Sequence, residues 1–99
     1  MINFEGKKED MEFMQHNIIM YFRNEFGVEN ICETILADKV ILDFYEDIIL
    51  SDIVNVLNDC IYEFNEDFET LRKVYNVKSS FEILVGTTGN SFIIFKYKI

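Results

Sequence analysis

The chain is expected to fold as an α+β domain, with two helices packed on one face of a four-stranded, mainly antiparallel sheet in the order αββαββ. Three observations point there. Apolar residues return every three or four positions in two long segments, they alternate with polar ones in four short segments, and there is no proline and only four glycines to interrupt either pattern. Ninety-nine residues, 49% of them apolar and fifteen per cent aromatic, suffice for one core, so residues 1–99 are read as a single globular domain.

The first helix is expected over Lys7–Phe26. Met11, Met14, Ile18, Phe22 and Phe26 form its apolar stripe, while Glu9, Asp10 and Glu12 sit near the positive N-terminal end and Gly27 is placed to stop it. Asn30–Leu36 and Val40–Tyr45 are rich in β-branched and aromatic residues around the polar link Ala37-Asp38-Lys39, and read as a hairpin with Val40, Leu42 and Phe44 on one face. A second helix is expected from a Ser51 cap to Lys73. Asp52 suits its first turn, Arg72 and Lys73 suit its last, and Ile53, Leu57, Cys60, Ile61, Phe64, Phe68 and Leu71 form its apolar side. The second hairpin pairs Ser80–Gly86 with Ser91–Ile99 across Thr87-Thr88-Gly89-Asn90. Its last strand is apolar on both faces over Phe92–Phe95. Two helices cover one sheet face only, so Ile41, Leu84, Phe92 and Ile94 are left over, which suggests homodimerisation through the open face.

Charge is the feature that bears on function. Between Glu29 and Glu69, forty-one residues carry twelve acidic side chains against one basic one, Lys39, a net −11 in a chain whose total is −9. Asp52, Asp59, Glu63 and Glu66 form a stripe on the second helix opposite its apolar side, beside Asn55 and Tyr62, and Asp67 follows in the same run. No lysine answers that stripe at helical spacing, and only Glu69 and Lys73 look paired. Each unanswered like-charge neighbour costs about 0.2–0.5 kcal/mol. A one-sidedly negative surface repels nucleic acid and membrane headgroups and attracts cationic proteins. With Lys7, Glu9, Asp10 and Glu12 interrupting the N-terminus, no signal peptide or spanning helix is expected, and the compartment is read as cytoplasmic. Cys32 and Cys60 are read as buried, reduced thiols rather than a disulfide.

The catalytic inventory is thin, and the chain is not read as an enzyme. His16 is the one histidine and has no serine or cysteine motif beside it to activate. Two cysteines and one histidine lack the paired spacing of zinc sites. Asp43, Glu46 and Asp47 at the end of the second strand invite comparison with magnesium or calcium ligands, but no Asp-x-Asp-x-Asp-Gly loop is present. Gly86-Thr87-Thr88-Gly89 lacks the lysine and following helix of a phosphate loop. No metal and no cofactor is expected.

What these residues fit is recognition of a basic protein. The helical stripe, together with Asp43, Tyr45, Glu46 and Asp47 just before it, interleaves carboxylates with tyrosines, and Tyr45 and Tyr62 are the natural anchors of a charge-steered interface. Basic surfaces with a function of their own belong chiefly to nucleases and other nucleic-acid enzymes. In size and charge the chain resembles the small immunity proteins that neutralise bacterial toxin domains, without sharing a local motif with them. That resemblance implies an antitoxin acting on a nuclease-type toxin. The same surface fits a phage-encoded DNA mimic that inhibits a host defence nuclease, anti-CRISPR in kind, and a third reading is a small ligand-binding or structural domain with no inhibitory role.

Overall fold

The computed structural model describes residues 4–98, so the expected extension of the last strand to Ile99 lies outside the described residues. Helix α1 (Lys7–Phe26) is followed by a single 3₁₀ turn (Val28–Asn30), strands β1 (Ile31–Ile35) and β2 (Lys39–Phe44), helices α2 (Leu50–Glu63) and α3 (Asn65–Tyr75), and strands β3 (Lys78–Val85) and β4 (Ser91–Lys98). The strands form one sheet in the order β1-β2-β4-β3, antiparallel throughout, with β4 inserted between β2 and β3. The α+β class and the element order are those expected, with one helix more.

Helix α1 has the bounds that its apolar spacing gives. It buries Met11, Met14, Ile18, Ile19 and Phe22, and Gly27 ends it at φ +89°, a conformation costly to any side chain, with its N–H on the Arg23 carbonyl at 2.8 Å. On the sheet, Val40, Leu42 and Phe44 of β2 and Ile93, Phe95 and Tyr97 of β4 are buried against the helices. The Phe95 ring lies 4.7 Å from Phe81 and 5.7 Å from Phe68 in tilted contacts, and 4.7 Å from Tyr97 edge-on, which makes it the centre of an aromatic cluster. The Tyr97 hydroxyl donates to the Met11 carbonyl at 3.0 Å, and the Tyr75 hydroxyl to the buried Asp10 carboxylate at 2.6 Å. Asp10 therefore ties α1 to α3 as well as facing the helix dipole.

The expected second helix is two. Phe64, at φ −101° and ψ 14°, stands between α2 and α3. Its ring meets Tyr21 of α1 edge-on at 5.9 Å, while Phe68, one turn later, packs on Phe81 and Phe95 of the sheet. The two aromatic anchors seat on different layers, and a bend between them satisfies both. Asn65, Glu66 and Asp67 then open α3 as a first turn should. Nor does Ser51 cap α2: the flanking position is Ile49, and Ser51 lies inside the helix with no side-chain cap bond. Glu69 pairs with Arg72 at 2.8 Å rather than with Lys73, and that hydrogen bond holds its carboxyl below the usual range. Cys60 is buried as expected, but Cys32 is exposed, because it sits on the sheet face away from the helices.

That outer face follows from the register. Ile41 pairs with Ile94 and Leu84 with Phe92, so the four leftover apolar residues do share one face, flanked by Asp43 beside Phe92 and Glu82 beside Ile94. Toward the other end of the strands Lys39 lies directly opposite Lys96, and Lys78 directly opposite Lys98. No helix among the described residues is long and apolar enough to cross a membrane.

Candidate partner-binding surface

The carboxylates expected to act together fall into two neighbouring groups and one outlier. The first surrounds the end of β2. Asp43 is the last outward-facing residue of the strand, after which Phe44 turns into the core and Tyr45-Glu46-Asp47 form a turn closed by the Ile48 N–H on the Tyr45 carbonyl at 3.0 Å. The Tyr45 N–H bonds the Asn30 carbonyl at 3.1 Å, which brings Glu29 alongside. From the β3–β4 turn, the Asn90 side chain donates to Asp43 at 2.8 Å and accepts from Thr88. Glu29, Asp43, Glu46 and Asp47, with Tyr45, thus line an open concavity of about 670 Å³. Glu29 was not singled out from the sequence; its place depends on the Asn30–Tyr45 bond. Among the described residues no three His, Cys, Asp or Glu side chains converge closely enough to hold a metal ion.

The second group lies on α2. Asp52, Asp59 and Glu63 are exposed along one flank. Across the groove to α1, the Tyr21 hydroxyl is pushed up, first by desolvation and then by the negative charge of Asp59, with Cys60, Glu25 and Glu63 adding to it. Glu25, one turn beyond Tyr21 on α1, adds to the negative potential at that hydroxyl. Beneath that flank of α2, burial pushes the Cys60 thiol up to about 12, with Glu63 contributing the remainder. The other flank of α2 is different. Leu50, Val54, Asn58 and Tyr62 recur every fourth residue and all face solvent, Tyr62 at 86% exposure. With exposed Ile49 and Tyr45 they give the acidic surface apolar anchors beyond the two tyrosines expected. Leu50 and Val54 were detectable in principle, since they lie one step off the Ile53–Leu57 core row.

The outlier is the first turn of α3. Glu66 is exposed and Asp67 half-buried, but both lie past the break at Phe64, so the stripe expected along one helix is divided between two. Among the described residues no lysine or arginine makes an ion pair with Asp43, Glu46, Asp47, Asp52, Asp59, Glu63 or Glu66; the pairs formed are Arg23–Glu33, Arg72–Glu69 and Lys96–Glu82. His16 is exposed on α1, away from this surface, at a groove of about 700 Å³ that also exposes Ile35 and Leu36, and the Gln15 amide there donates to the Leu36 carbonyl at 3.1 Å.

Comparison with protein-family models, with curated proteins and with solved structures returns no match for this chain.

Proposed function

We propose that the chain binds and inhibits a basic protein, of the nuclease type, through the surface formed by the β2–α2 connection and the outer side of α2. One observation carries the reading: exposed apolar side chains, Tyr45, Ile49, Leu50, Val54 and Tyr62, stand next to carboxylates that no basic residue of the described chain neutralises. Large amphipathic anchors inside a charged rim are the anatomy of tight, electrostatically steered interfaces. A carboxylate surface of this kind occupies the cationic groove in which a nuclease holds substrate phosphates, and so excludes the substrate. An immunity protein or antitoxin is the form of inhibitor this size and charge fit best.

The test uses two baits, wild type and the variant Asp59→Lys/Glu63→Lys, immobilised side by side in extract of the native host. A nuclease retained by wild type is then assayed for DNA or RNA cleavage with increasing inhibitor. Expected are stoichiometric inhibition by wild type, association that slows as salt rises, and loss of both in the variant. A partner held equally by the two baits, or one whose binding ignores ionic strength, refutes the proposal.

A further inference from the structure

The face of the sheet turned away from the helices has a polarity of its own. At one end of the strands lie Lys39, Lys78, Lys96 and Lys98, four of the nine basic residues in the chain. Two pairs of them face each other directly across strands, a placement that a solitary sheet disfavours, and Lys96 reaches Glu82 at 3.4 Å. In the middle lie Ile41, Ile94, Phe92 and Leu84. At the far end lies Asp43, which opens into the concavity with Glu29, Glu46 and Asp47. Read along the strands, the surface runs from cationic through apolar to anionic.

We infer that this face is a self-complementary interface, covered by the same face of a second copy of the chain. Two sheet faces pack about 10 Å apart, and a two-fold axis in the plane between them has two simple choices. An axis along the strands sets lysines on lysines. An axis across the strands turns one copy end for end, so that the lysine end of each copy lies over the carboxylate end of the other and the apolar centres meet. Charge selects the second arrangement, because it answers both ends twice and relieves the cross-strand lysine pairs. The surface shares with the proposed inhibitory site only the carboxylates at the β2 end; Asp59 and Glu63 belong to that site, and Lys39 and Lys98 to this one, so one reading can fail while the other stands.

Sedimentation or light scattering across the micromolar range, at low and high salt, reads the outcome. Wild type is expected at twice the 11.8-kDa chain mass, shifting toward monomer as salt rises. Two variants complete the test, Lys39→Glu/Lys98→Glu and Glu46→Lys/Asp47→Lys, each first shown to keep the circular dichroism spectrum of wild type. Each is expected to be monomeric alone, and an equal mixture of the two is expected to recover the dimer mass. Asp59→Lys/Glu63→Lys is expected to leave the dimer unchanged. Monomeric wild type at every concentration, dimers of either charge variant by itself, or a mixture that fails to associate overturns the inference. Monomeric wild type that instead captures heparin through its lysines assigns the face to an anionic partner and overturns it equally.

Discussion

Raising the pH should unfold this protein through Cys60. Its thiol is fully enclosed, and burial first, then Glu63, raises it from 9.0 to about 12. The unfolded thiol ionises near its ordinary value while the folded one holds its proton, so the unfolded state loses protons first. The stability tied to Cys60 is therefore intact below that ordinary value and drains away as pH rises toward the folded one. Three units correspond to about 4 kcal/mol over the whole window, of which about 2 kcal/mol is gone between about pH 8 and about pH 10.5. With urea slopes of roughly 1–3 kcal/mol per molar, the unfolding midpoint should fall by about 1 M across that interval. Buried Tyr97, also raised by desolvation, adds to the loss at the upper end. The control is Cys60→Ala, which lowers stability by about 1 kcal/mol where the thiol is protonated in both states and removes the thiol's share of the slope above that range. Urea curves for both proteins at the two pH values decide it. If Cys60→Ala loses as much stability as wild type between them, the thiol is not held neutral by its surroundings and the packing of α2 described above is wrong.

Three further outcomes follow from the same geometry. Phe95→Ala should cost about 3–5 kcal/mol in urea unfolding, since the ring is fully enclosed by Phe68, Phe81 and Tyr97; a cost below about 1 kcal/mol would place β4 elsewhere. Asp59→Asn/Glu63→Gln should lower the Tyr21 hydroxyl's ionisation pH, followed by ultraviolet difference absorbance, and an unchanged titration would separate α1 from the acidic flank of α2. A thiol reagent should label Cys32 promptly in dilute native protein and reach Cys60 only on unfolding, with mass spectrometry of peptides assigning the label.

Local features of the fold were legible from the residues, and non-local ones were not. Lys7–Phe26 declares itself because five apolar residues at helical spacing end at a glycine, and all of that information lies within one segment. The β1–β2 turn is equally local, although Lys39 belongs to the strand, its carbonyl accepting from the Leu36 N–H at 2.8 Å. The bend at Phe64 is set by what two aromatic rings touch, Tyr21 on one side and Phe81 with Phe95 on the other, and the one hint in the sequence was the run Asn65-Glu66-Asp67. Of the acidic site, Asp43, Tyr45, Glu46 and Asp47 came together as expected and Asp59 kept company with Glu63. Glu29 joined from the turn before β1, while Glu66 fell past the break at Phe64 onto the next helix. The lysine end of the sheet was legible only in part: Lys78, Lys96 and Lys98 share the last hairpin, but opposing Lys39 to Lys96 requires knowing that β4 enters between β2 and β3.

That insertion also orders events on the ribosome. Of the two strands with partners on both sides, β2 and β4, the second is the last of the four to be made, so β2 and β3 each leave the exit tunnel with an unsatisfied row of backbone groups. The nascent chain cannot close its aromatic cluster until Phe95 emerges. The negative charge encoded upstream, twelve acidic residues against Lys39 between Glu29 and Glu69, is repulsive between such unfinished chains during that wait.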